Sequence, residues 1–160
     1  MQRRRFALDH NFPEPVLDAL ALSIPMAELV PVRKIRAELT QLDDWELLKA
    51  LHEDPAHWDG LITNDAAILS LAPEMAILAQ TKLTLVVVKG QGHSPIRATG
   101  VLLCHLPFIC HHTTTERAQV WRLRVAQKKY EDVEVYLREI AEKQGISVHT
   151  LLKSHRLRHE

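Results

Sequence analysis

The run Lys82-Leu83-Thr84-Leu85-Val86-Val87-Val88-Lys89 constrains the fold more than any other stretch of the chain. It is β-branched and almost continuously apolar, with no alternation to supply a wet face, so it reads as a strand covered on both sides. Such strands belong to parallel sheets, whose crossovers lay helices over the two faces. Two shorter runs share this character. Arg5-Phe6-Ala7-Leu8 ends at Asp9, and Leu61-Ile62-Thr63 ends at Asn64-Asp65.

The segments between these runs change period. Pro13 and Pro15 precede Val16, Leu17, Ala19, Leu20 and Leu22, the pattern of an amphipathic helix with proline near its first position. Ala27 to Val32 reads as a second strand, its Pro31 pointing to an edge or an early end. Arg33-Lys34-Ile35-Arg36 follows as a basic loop. Leu42 to Leu51 reads as a short helix with Asp43, Asp44 and Glu46 in its first turn, where negative charge is favourable, and Asp43 or Asp44 as its cap. Pro55 ends it, and Trp58-Asp59-Gly60 turns the chain into the third strand. Ala66 to Leu71 continues as helix until Pro73, and a further helix runs from Ile96 to about Leu103 after the Gly90-Gln91-Gly92 turn. Alternating strands and helices predict an α/β domain: a three-layer parallel sheet with right-handed crossovers and helices on both faces.

The texture changes near residue 112, giving an α/β domain over 1–112 and a helical extension over 113–160. From Thr115-Glu116 onward Val120, Leu123, Tyr130, Val133, Leu137 and Ile140 recur at three- or four-residue steps, as on one long helix. Gly145 stops it, Ser147 caps a second helix, and Leu151, Leu152 and Leu157 mark that helix's buried side. Charge follows the same division. Residues 1–110 carry 10 Lys and Arg against 13 Asp and Glu, while residues 111–160 carry 10 against 7, so the zero net charge conceals an acidic front and a basic tail. That split suits a cation site joined to a surface for nucleic acid or an acidic partner.

Composition narrows the setting. The two cysteines, Cys104 and Cys110, lie close together in an apolar segment, which argues against a structural disulfide and for a reduced, cytoplasmic protein. The start reaches Asp9 at once, unlike a secretory leader. The longest apolar run, Ala98 to Cys110, is interrupted by His105 and Pro107 and is shorter than the ~20 residues of a membrane span, so no membrane partner is expected. Cys104, His105, Cys110, His111 and His112 match no familiar zinc-ligand spacing.

Asp9 and Asp65 each end a strand on the sheet rim where open α/β folds bind ligands. Three motifs in order sharpen this reading: Asp9-His10-Asn11-Phe12-Pro13 after the first strand, Asp44-Trp45-Glu46-Leu47-Leu48 opening the middle helix, and Asp59-Gly60-Leu61-Ile62-Thr63-Asn64-Asp65 at the third strand. Together they resemble the PIN-like nuclease domains, in particular a small prokaryotic branch found among toxins of toxin-antitoxin modules. The resemblance spans residues 5 to about 107. It implies a PIN-like fold and a metal-dependent endoribonuclease with Mg²⁺ or Mn²⁺ as cofactor, RNA as substrate and a cognate antitoxin protein as partner. Asp9, Asp44 and Asp65 would be the catalytic acids and metal ligands, with Asn11, Asp43, Glu46, Thr63 and Asn64 as substrate or supporting groups. Two positions depart from that branch: His10 stands where an acid is usual, and Ala67 where a further Asp often follows. The departures leave a smaller negative charge to hold a cation.

The tail from Leu137 to Leu152 resembles a helix-turn-helix, with Ala141 four residues before Gly145 and Ile146-Ser147 leading the second helix. That resemblance implies DNA contacts through Ser147, His149, Thr150 and Lys153, with Arg156 and Arg158 near phosphates. The stripe from Val120 to Ile140 would serve packing or a homodimer. Two other readings stay open: a non-catalytic module that binds nucleic acid or a partner through its tail, and a phosphoacceptor domain using Lys89, which lacks the acidic pair such a domain wants after strand one.

Overall fold

The computed structural model describes residues 3–10, 12, 22–89, 94–124 and 132–155. The chain divides into two compact units, Met1–Val125 and Ala126–Glu160.

The first unit is an α/β layer structure around a five-stranded sheet, with strands β1 Arg4–Leu8, β2 Ala27–Pro31, β3 Gly60–Thr63, β4 Thr84–Lys89 and β5 Gln119–Arg124. The order is β2-β1-β3-β4-β5, and every neighbouring pair is parallel. The apolar runs place this sheet in the interior because successive residues point to opposite faces. Phe6, Leu8, Ile62, Val86 and Val88 pack on one face, while Ala7, Leu61, Leu85 and Val87 pack on the other. The first face is covered by Ala98, Leu102, Leu106 and Ile109 of the long helix Pro95–His112. The second is covered by Leu47, Leu48 and Leu51 of helix Asp44–Glu53 and Leu78 of helix Ala72–Ala79. Each fully buried Leu or Val side chain contributes about 1.5–3 kcal/mol over its exposed state, so both faces are needed to hold the sheet.

Among the described residues the helices of this unit include, in chain order, α1 Val32–Ile35, α2 Asp44–Glu53, α3 Ala72–Ala79 and α4 Pro95–His112, with short 3₁₀ segments at Ala37–Gln41 and Ala66–Ser70. Several boundaries differ from the sequence reading. The basic segment after β2 is a helical turn. Pro73 starts a helix where the reading had it stop one: it occupies the first turn of α3, where its missing N–H costs nothing. Helix α4 runs through Pro107 to His112, well past Leu103. The helix expected over Val16–Leu22 lies outside the described residues apart from Leu22.

The largest correction concerns residues 115–124. Gln119–Arg124 is a strand paired with β4 from Thr84↔Gln119 to Lys89↔Arg124, not the start of a long helix. Residues 113–124 therefore belong with the sheet, beyond the division expected at 112. Its inward positions are Gln119, Trp121 and Leu123 and its outward ones Val120, Arg122 and Arg124, the period of an edge strand with one wet face.

Gly60 shows why β3 begins where it does. A Cβ at this position would collide with the Thr84 carbonyl of β4, so only glycine lets the two strands approach here.

The second unit holds helices α5 Val133–Gln144 and α6 Val148–Ser154. Gly145 adopts φ 65°, the left-handed conformation that ends α5. Its N–H bonds the Glu142 carbonyl, and the Ile146 N–H the Ala141 carbonyl, closing the last turn.

Candidate active site

The strand order reverses at one particular point. β1 has β2 on one side and β3 on the other, so the connections leaving β1 and β3 depart in opposite directions, and the loops after these two strands diverge. Asp9 follows β1 directly, and Asp65 follows β3 after Asn64. Register makes them neighbours. Leu8 pairs with Ile62, and the Asp9 N–H continues the ladder by donating to the Ile62 carbonyl at 3.0 Å.

One hydroxyl ties the two acids together. Thr63 Oγ1 donates to Asp9 Oδ2 at 2.7 Å and accepts from the Asp65 backbone N–H at 3.0 Å. Thr63 is fully buried and Asp9 only 3% exposed, so this contact forms away from competing water. The Asp9 carbonyl accepts from the Phe12 N–H at 2.9 Å, turning the loop so that Phe12 enters the core. Asp9 Oδ1 is buried without a hydrogen-bond donor; His10 Nδ1 lies 2.8 Å away but outside hydrogen-bond alignment. Asp65 spends Oδ1 on the Ala67 N–H at 2.8 Å, capping the 3₁₀ segment that follows.

Asp44 is the first residue of α2. Its carboxyl is held above the usual aspartate range by partial burial, then by the charges of Asp9, Asp65 and Glu74, with His10 opposing. Three acids from three other segments thus act on Asp44. Glu74 was not foreseen. It sits in the first turn of α3, is 6% exposed, and leaves Oε2 buried without a partner. The sequence signal for it was present in Ala72-Pro73-Glu74, a helix start with proline and then an acid in the first turn.

The remaining expected residues divide. Asp43 and Glu46 form a capping box at the start of α2, the Asp43 N–H donating to Glu46 Oε2 at 3.1 Å, so helix initiation accounts for both. Asn64 is half-buried between Thr63 and Asp65. Asn11 lies outside the described residues. In the second unit Ser147 caps α6 by accepting from the Thr150 N–H at 3.1 Å, while His149, Thr150 and Lys153 are exposed on that helix. Arg156 and Arg158 lie outside the described residues. Cys104 and Cys110 are both free; burial pushes the Cys110 thiol up to about 11.

The donor chemistry on the rim fits a hard divalent cation. It consists of carboxylate oxygens, two of them buried atoms that make no hydrogen bond, around Asp44, on which the neighbouring acids act. Among the described residues no three acidic, imidazole or thiol groups converge into a ready ligand cage. Among the described residues no helix is long and apolar enough to cross a membrane. Comparison with protein-family models, curated proteins and solved structures found no match.

Proposed function

We propose that the chain is a metal-dependent endoribonuclease of the PIN-like type, acting in the cytoplasm as the toxin of a toxin-antitoxin module. The observation that carries this reading is the tie between Asp9 and Asp65 on one rim through Thr63. Partial burial and then the charges of those two acids raise the proton affinity of Asp44. Mg²⁺ or Mn²⁺, when bound, would neutralise charge on the phosphate under attack and acidify water beside it. Asp9 and Asp65 are the residues that would hold the ion, Asp9 through Oδ1, which makes no hydrogen bond and has His10 Nδ1 2.8 Å away. Thr63 keeps Asp9 from turning away by holding Oδ2 at 2.7 Å. Asp44, with its raised affinity for a proton, is the group suited to accept one from the attacking water as the P–O3′ bond breaks. Glu74 supports that affinity through its buried charge.

The test is cleavage of single-stranded and structured RNA by the purified chain with Mn²⁺. Wild type should cut, Asp9→Asn should abolish cutting, and chelation should reverse activity. Intact RNA of both kinds with wild type and Mn²⁺ would refute the reading.

A second reading has its own support. The order of α5, left-handed Gly145 and the Ser147-capped α6 is consistent with a helix-turn-helix, with His149 and Lys153 exposed on the second helix. On that reading the tail binds DNA, a homodimer supplies the second half-site, and the acids are vestigial. A mobility shift on duplex DNA, lost in Lys153→Glu, would favour it.

A further inference from the structure

At the opposite edge of the sheet, where the strands begin, a cleft of about 520 Å³ is lined by Arg3, Arg4, Arg5, Trp58, Asp59 and Lys82, with His52 and His57 on its wall. Four cations face one carboxylate there, and the hydrogen bonds show which of them are already committed. Arg4 pairs with Asp59 at 2.8 Å and gives its other nitrogen to the Thr113 carbonyl. Arg5 donates to Glu28 and the Ala56 carbonyl, and its guanidinium lies 4.5 Å over the Trp58 ring. These two arginines build the wall.

What remains is a surplus of donors. Among the described residues Lys82 is exposed with no carboxylate in ion-pair reach, and Arg3 has a single bond, from Nε to the Ala27 carbonyl at 3.2 Å. Trp58 is nine-tenths buried, and its Nε1 has no acceptor. His57, beside it, holds φ 55°, a conformation that costs a non-glycine residue energy. A donor-rich, acceptor-poor cleft of this size calls for an anion with several oxygen acceptors. Arg3 precedes β1 and Lys82 precedes β4 with β3 between them, so their long flexible side chains can serve one bound anion.

We propose that this cleft binds a phosphate-bearing ligand, with Lys82 and Arg3 as the anion contacts and the Arg5–Trp58 stack beside them. A nucleoside diphosphate and a segment of RNA strand both present that chemistry. The site is separate from the acid rim and does not depend on the proposed nuclease activity.

Titration calorimetry of the full chain with ADP and with a tetrauridylate tests it. At least one probe should bind, more weakly as salt rises, and Lys82→Glu and Arg3→Glu should each weaken it about tenfold or more, the loss of one charge-assisted contact. Asp9→Asn should bind as wild type does, which keeps the result independent of the acid rim. Stronger binding of ADP assigns the cleft to free nucleotides, and stronger binding of the tetrauridylate assigns it to the strand. Both side chains are exposed, so the variants should retain the parent's thermal transition. Absence of binding by both probes at millimolar concentration, or undiminished binding in folded Lys82→Glu and Arg3→Glu, would overturn the proposal.

Discussion

Replacing Thr63 by valine isolates the contact that organises the acid rim. The two side chains have nearly the same shape, so at a fully buried position the exchange changes chemistry more than packing. It removes the 2.7 Å bond donated to Asp9 Oδ2 and the 3.0 Å bond accepted from the Asp65 N–H. A hydrogen bond to a charged group contributes about 1.5–3 kcal/mol and a backbone one about 0.5–1.5 kcal/mol, so the loss should be about 2–4 kcal/mol. For a chain of this length that lowers the thermal midpoint by roughly 5–15 °C. Urea and thermal unfolding followed by circular dichroism would measure it. Thr63→Ser is the discriminating control: it keeps the hydroxyl and gives up one methyl, about 1 kcal/mol. If the valine variant unfolds within about 0.5 kcal/mol of the parent, or if serine is as damaging as valine, the hydroxyl does not hold Asp9 and the argument fails.

Two further outcomes follow from the same structure. Asp44→Asn should stabilise the metal-free protein at neutral pH, because the folded carboxyl has a raised pKa and its ionised form opposes folding. The penalty is absent at acid pH, grows as pH climbs from the unfolded value through the folded one, and is complete above it. Water screens this half-exposed group, so the gain should be only about 0.5 kcal/mol, and melting curves from pH 3 to 8 should show it fading on acidification. Gly60→Ala should cost about 1–3 kcal/mol or more by forcing β3 off the Thr84 carbonyl, and amide exchange should show β3 and β4 losing protection together.

The elements that carry the rim were legible because they use strong signals. Buried parallel strands are short apolar runs, and each of the two that matter stops at an aspartate, so Asp9 and Asp65 could be named from the chain alone. Asp44 stands in an acidic first turn beside Asp43 and Glu46, which form the capping box, and linear spacing does not separate the three. Glu74 was hidden by reading Pro73 as a stop. β5 was hidden because Val120 and Leu123, three residues apart, imitate a helical stripe, while Trp121 and Leu123 carry the two-residue period that the sheet uses. The Thr63 bridge depends on register between strands far apart in sequence, and only pairing of Leu8 with Ile62 brings the hydroxyl to Asp9.

Titrating the protein with Mn²⁺ and counting free ion by electron paramagnetic resonance tests the central claim most directly. The acid rim should take up the ion in wild type, weaken in Asp65→Asn, and lose it in Asp9→Asn while that variant stays folded. Binding that is absent in wild type, or unchanged when Asp9 loses its charge, would contradict the account.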